Sequence, residues 1–179
     1  MLILQALYFM LPAYFANMAP VFAAKIFDKK LAWPLDFGKT YKGKEIFGKN
    51  KTWRGLFAGV ATGILTVYVQ RYFFQFNFFK SLSFLDYTQI NALLYGFLFG
   101  FGVILGDAVK SFFKRRANLK PGERWFPWDQ LDFLGGVILI SIVNPLNFAI
   151  VFIIALISPC LPIITNWLGY LLKLKKVPW

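Results

Sequence analysis

The sequence contains no histidine, and Cys160 is its only cysteine. These absences exclude Ser-His and Cys-His nucleophilic catalysis, histidine-ligated zinc, a four-cysteine zinc site and an intrachain disulfide framework. Charge is scarce as well. Only 16% of the 179 residues are charged, against about a quarter in an average soluble domain. Eight residues are acidic and 20 are basic, giving a formal net charge of +12. Any active site must therefore be assembled from carboxylates, Lys and Arg, hydroxyls and amides. Apolar residues are abundant: 58% of the chain is hydrophobic and 22 residues are Phe. A disordered basic tail would lack those hydrophobes. A soluble DNA-binding domain would not carry long uncharged runs, so nucleic acid is not the expected partner.

The uncharged runs are Met1–Ala24, Gly55–Gln70, Tyr87–Gly106 and Phe133–Leu172. A bilayer core needs roughly 20 helical residues per crossing. The first and third runs each make one span. The second reaches that length by continuing past Arg71 toward Phe79, with the Arg snorkelling. The fourth holds two spans, broken at Asn144-Pro145. The expected fold is an all-α polytopic membrane protein, one domain over 1–179. Its spans are placed at about 1–24, 55–79, 87–106, 129–143 and 147–172, roughly five in all.

Segments Lys25–Arg54 and Asp107–Asp132, with the tail after Leu172, carry 18 of the 20 basic and seven of the eight acidic residues. Five crossings place these segments on one side, which the positive-inside rule makes cytoplasmic, with the N-terminus outside. Met1–Ala24 has no basic start and is expected to remain as a span. Gly55, Gly59 and Gly63, and Gly96, Gly100, Gly102 and Gly106, form rows that suit close helix packing. Pro12, Pro20, Pro159 and Pro162 are expected to mark kinks or unwound turns.

Positive loops orient membrane proteins and attract anionic headgroups without any active site. The carboxylates among them are more informative. If the third helix continues past the membrane, its periodicity puts Asp107, Lys110, Ser111, Lys114 and Asn118 on one side. The same pattern also fits an interfacial amphipathic turn with snorkelling lysines. Asp129 and Asp132, three apart, can share a cation on one helix face; an N-cap and a dipole partner would look alike. Facing Asp107, they would form an oxygen-only site that suits Mg²⁺ with phosphate. Gly43-x-x-x-x-Gly48-Lys49 resembles a Walker A loop, but Asn50 stands where Ser or Thr is required and no apolar strand precedes it. What survives is a basic, Gly-containing loop entering a helix N-terminus, which suits phosphates and equally suits lipid headgroups.

Beyond these residues, the sequence resembles the archaeal CDP-archaeol synthases, relatives of the CDP-diacylglycerol synthases. The resemblance spans nearly the whole chain. It rests on Asn17–Pro20, Asp36-Phe37-Gly38, Ile46–Gly55, Gly106–Arg116, Lys120–Glu123, Asp129–Phe133 and Val177-Pro178-Trp179. It departs from the broader cytidylyltransferase signature at Pro121 and Gln130 and lacks that signature's His-Gly-Gly element. The resemblance implies transfer of CMP from CTP to an unsaturated archaeal ether-lipid phosphate in a cell membrane, with Mg²⁺. Asp129 and Asp132 would bind metal, with Asp107 close by. Lys49, Asn50, Lys51 and Thr52 would bind the triphosphate, and Lys114, Arg115, Arg116 and Lys120 would neutralise phosphates. Ser111 would position a phosphate or a metal-bound water. A CTP-dependent polyprenol kinase and a non-catalytic anionic-lipid binder or transporter are the alternatives. Oligomeric state is open.

Overall fold

A computed structural model describes residues 1–28, 30–119, 123, 125, 128, 134–157 and 167. The described residues are mostly helical. The elements are α1 (Leu2–Phe27), β1 (Thr40–Tyr41), β2 (Lys44–Glu45), α2 (Trp53–Phe73), α3 (Asn77–Leu82), α4 (Ala92–Arg116), α5 (Leu134–Val143) and α6 (Phe148–Ile157). Helices α1, α2 and α4 pack against one another, α5 lies on α4, and α6 touches α1. The core between them includes Phe9, Met10, Ala13, Val67, Phe99, Val103, Ile140 and Ile154. Phe9 and Phe99 meet edge-on, with ring centroids 5.1 Å apart.

The outer faces are apolar too. Phe15, Val21, Phe57, Leu65, Phe97, Ile138 and Phe152 are all exposed. A helix that is apolar all round belongs in a protein core or in a bilayer. With the outward faces uncovered, the bilayer is the fitting solvent. By length and composition, α1 and α4 are able to cross a membrane.

Backbone contact sets the α2–α4 spacing. A methyl at Gly63 would lie 2.7 Å from the Gly96 carbonyl, and one at Gly100 would lie 2.7 Å from the Gly59 carbonyl. One at Gly102 would meet Gly136 Cα of α5 at 2.6 Å. The glycine rows are thus packing surfaces, as their spacing predicts. Both α1 prolines lie inside a continuous helix, with no unwound turn. Pro12 has no N–H to give Tyr8, and Gln70, 2% exposed, donates its Nε2 to that carbonyl over 2.6 Å. Pro159 and Pro162 lie outside the described residues.

Three expectations are corrected. The fold is not purely helical, because Tyr41↔Lys44 closes a two-residue antiparallel hairpin. Its turn residues, Lys42 (φ 52°) and Gly43 (φ 75°), both take the left-handed conformation that such tight turns require. The second helix stops at Phe73 instead of running to Phe79. The chain folds back through α3, and Phe79 packs on Phe73 (4.9 Å) and Tyr8 (6.1 Å). The third begins at Ala92, after a turn organised by Asp86 and capped by Asn91 Oδ1, and extends to Arg116. The break at Asn144-Pro145 is as expected: α5 ends at Val143 and Asn147 caps α6 through the Ala149 N–H (2.9 Å). Residues 129–133 and 158–172 of the last two expected spans lie outside the described residues, apart from Trp167.

Gly100→Ala should test the backbone contact. Overpacking costs about 1–3 kcal/mol, so the detergent-solubilised variant should melt several degrees below wild type.

Candidate active site

The loop between α1 and α2 is built around one carboxylate. Asp36, 7% exposed, accepts the N–H groups of Phe47 (2.8 Å), Gly38 (2.9 Å) and Gly48 (3.2 Å). Burial pulls its pKa up, but the N–H bonds from Phe47, Gly38 and Gly48 outweigh that and hold it below the usual carboxylate range. On either side, the Leu35 N–H reaches the Lys51 carbonyl (2.7 Å) and the Trp53 N–H reaches the Trp33 carbonyl (3.0 Å). Gly48 turns the chain at φ 92°. Thr52 then caps α2 through the Gly55 N–H (3.2 Å). These bonds fix residues 49–52 immediately before a helix N-terminus, where the dipole favours anions.

The loop meets α4 at Asp107. Lys51 Nζ pairs with Asp107 Oδ2, and Lys110 Nζ lies 3.2 Å from Oδ1. A cavity of about 580 Å³ opens here, lined by Lys49, Asn50, Lys51, Thr52 and Asp107. Asn17 and Lys25 of α1, with Arg54 of α2, complete its polar wall. Four cationic side chains and one carboxylate make the cavity a site for an anionic group.

Other expected residues lie apart from this cavity. Ser111 is buried, and its hydroxyl donates to the Asp107 carbonyl over 2.9 Å within the helix. Lys114 is buried on the same helix, 8% exposed. Among the described residues, the buried Nε of Arg115 has no hydrogen-bond partner. Arg116 binds the hairpin: its guanidinium donates to the carbonyls of Glu45 (2.8 Å), Ile46 (3.2 Å) and Tyr41 (3.1 Å). It also lies 3.9 Å from the Phe112 ring centroid. Arg116 thus has a structural role in holding the hairpin against α4. Asn118 leaves the expected helical face, since α4 ends at Arg116 and Asn118 takes φ 62°. Lys120, Asp129 and Asp132 lie outside the described residues.

Asn17, Lys25 and Arg54 were not among the site residues expected from the sequence. Asn17 carried the available signal, an amide eight residues before the first charge at Lys25, in a run whose other amide, Gln5, lies near its start. Arg54 spends its guanidinium on the Asp28 carbonyl and the Lys30 carbonyl (3.1 Å), tying the loop to the end of α1. As for metal, no group of three or more carboxylates or thiols capable of holding a cation occurs among the described residues. Both Asp107 oxygens are engaged by ammonium groups, so the described donors do not form a cation site by themselves.

The sequence model of the CarS-like family, CDP-archaeol synthase, matches residues 1–179. The chain belongs to this family. It is 36% identical to the CDP-archaeol synthase of Pyrococcus furiosus over 99% of this chain and 98% of that one. It is 37% identical to that of Thermococcus onnurineus, covering 99% and 97%. It also resembles a solved structure, an intramembrane enzyme for archaeal membrane lipids biosynthesis. That likeness has a TM-score of 0.73 and 28% identity, over 92% of this chain and 94% of that one. The chain is a membrane protein of a lipid-synthesising enzyme family, and within that family its cavity is the candidate active site.

Asp36→Asn should loosen the loop without removing a cavity residue. Charge-assisted hydrogen bonds contribute about 1.5–3 kcal/mol, so amide exchange over residues 46–52 should accelerate at least tenfold. A carboxyl with a lowered folded pKa stabilises fully above its unfolded value, about 3.9. That stabilisation is lost as pH falls through the folded value. Wild-type protection should hold from pH 8 to 5 and fail only in stronger acid, whereas the Asn variant should lack this acid-dependent loss.

Proposed function

We propose that this chain makes CDP-archaeol, transferring CMP from CTP to the phosphate of an unsaturated archaeal ether lipid (2,3-di-O-geranylgeranylglyceryl phosphate) and releasing pyrophosphate. The observation that carries this reading is the cation-rich cavity where Lys51 meets Asp107 at the end of the apolar stretch of α4, in a chain of this family. The triphosphate binds along Lys49, Asn50, Lys51 and the N-terminus of α2. The lipid phosphate approaches from the membrane side. One of its oxygens attacks the α-phosphorus of CTP, the bond from that phosphorus to the bridging oxygen breaks, and pyrophosphate departs. With a second pKa near 6, a phosphate monoester is largely ionised at neutral pH and requires no general base.

A groove of about 670 Å³ between α1 and α2 supports the lipid half of the reading. It is lined by Phe15, Phe22, Ile26, Ala58, Leu65 and Val69, with Thr62 and Thr66 as its polar members. The Thr66 hydroxyl bonds back to the Thr62 carbonyl over 2.8 Å, which keeps the wall apolar for a prenyl chain. We place the chain in the cell membrane with about five crossings, its basic loops cytoplasmic and its N-terminus outside, from the charge distribution. Asp129 and Asp132, with Asp107, would be the residues to hold Mg²⁺, which would supply charge neutralisation to the polyphosphate. Lys114, Arg115 and Lys120 would contribute positive charge toward the bound phosphates, and Arg116 secures the hairpin.

The purified protein, given CTP, Mg²⁺ and geranylgeranylated glyceryl phosphate, should place labelled cytidine in the lipid with one pyrophosphate per turnover. Transfer of only the terminal phosphate to the corresponding alcohol would instead establish a kinase. Asp129→Asn and Asp132→Asn should each lower kcat about 100-fold or more, with insertion unchanged. Unaltered turnover in both would overturn the metal assignment.

A further inference from the structure

Asn17 lies on a stripe of α1 with Pro20, Val21 and Ala24, all facing the cavity. At 1.5 Å per residue it sits about 12 Å along the helix from Lys25. Its neighbours locate it further. One turn toward the loop, Pro20 abuts Gly55, where a methyl would lie 3.2 Å from the proline Cβ. The Ala16 carbonyl, on the other side of Asn17, would be 3.2 Å from a methyl at Gly59, itself against Ile104. Ile104 precedes Asp107 by one helical turn. Asn17 therefore lies toward the floor of the cavity, at the level of Ile104 and about one turn from Asp107.

A half-buried amide in an apolar helix is costly unless its donors and acceptor are used. No hydrogen bond joins this side chain to another described residue. The cavity around it carries Lys25, Lys49, Lys51 and Arg54 against Asp107, so the group it receives is anionic. A neutral N–H donor suits that depth, because another ammonium there would cost more to desolvate. We propose that Asn17 is a substrate-contacting residue whose side-chain amide donates to a phosphoryl oxygen at the cavity floor. This rests on the functional reading above. The oxygen belongs either to the nucleotide polyphosphate or to the lipid phosphate.

The test compares wild type with Asn17→Ala, Asn17→Ser and Asn17→Asp in detergent or nanodiscs. It measures thermal midpoint, equilibrium binding of Mg²⁺·CTP and of geranylgeranylated glyceryl phosphate, and KM for each. Alanine forms helix better and removes an unpartnered amide, so Asn17→Ala should melt at or above the wild-type temperature. Its affinity should nonetheless fall about tenfold for the ligand whose oxygen Asn17 holds. Asn17→Asp should bind that ligand more weakly still, through repulsion, and Asn17→Ser should retain an intermediate affinity. A loss confined to CTP assigns the nucleotide, and one confined to the lipid assigns the lipid phosphate. Binding and KM within twofold of wild type for both ligands in Asn17→Ala, or losses that merely follow a lowered melting temperature in all three variants, would overturn the proposal. Binding without cytidine transfer in wild type would reject the synthase reading and leave the Asn17 assignment to the binding data.

Discussion

Asp107 stands where the apolar stretch of α4 ends, and a carboxylate there must be compensated. Leaving it unpaired would cost several kcal/mol. Two ammonium groups supply the compensation, one from its own helix (Lys110) and one from a loop 56 residues earlier (Lys51). The pairing is therefore also a tether that brings the basic loop onto α4. It leaves one positive charge in excess, so the junction attracts phosphate although a carboxylate lies at its centre. Sharing Lys51 between Asp107 and a ligand depends on the loop being held independently, and Asp36 provides that hold with three backbone N–H groups.

The tether would fall out of register without the helix spacing beneath it. Gly59, Gly63, Gly96 and Gly100 let α2 and α4 touch backbone to backbone, and Gly55 continues the row to Pro20. These contacts align the N-terminus of α2 with the polar end of α4, placing Thr52 and Asp107 on one cavity. The prolines of α1 act in the same system. Each interrupts a helical hydrogen bond, and the freed Tyr8 carbonyl is taken up by Gln70 of α2. In hydrocarbon a released carbonyl needs such a partner, so α1 and α2 are joined through a polar contact where apolar packing is not directional.

Much of this was legible from the distribution of charge. Uncharged runs located α1, α2 and α4, and the basic segment with its GKNKT stretch located the loop. The end of α2 was not legible. Residues 73–79 are nearly as apolar as the helix before them, and the turn arises because Phe73 and Phe79 pack on each other and near Tyr8, a tertiary effect. The hairpin escaped because its strands have two residues each and no alternating pattern; only Lys42-Gly43 hinted at a turn. Arg116 looked like its neighbours Lys114 and Arg115, yet geometry gives it hairpin carbonyls. Asn17 was hidden differently: it is one of two amides in an apolar run, with Gln5, and packing alone shows which face each occupies.

The missing histidine acquires its meaning from the same geometry. Ser111 commits its hydroxyl to a helical carbonyl, and both oxygens of Asp107 are held by lysines. The described cavity residues therefore offer cations and amide donors, with no carboxylate oxygen left open to take a proton. Such a cavity is poorly suited to activating an alcohol, which must lose its proton as it attacks. It is well suited to a nucleophile that arrives already ionised and needs its charge offset and its orientation held. A lipid phosphate meets that requirement, in keeping with the CDP-archaeol synthase family to which the chain belongs.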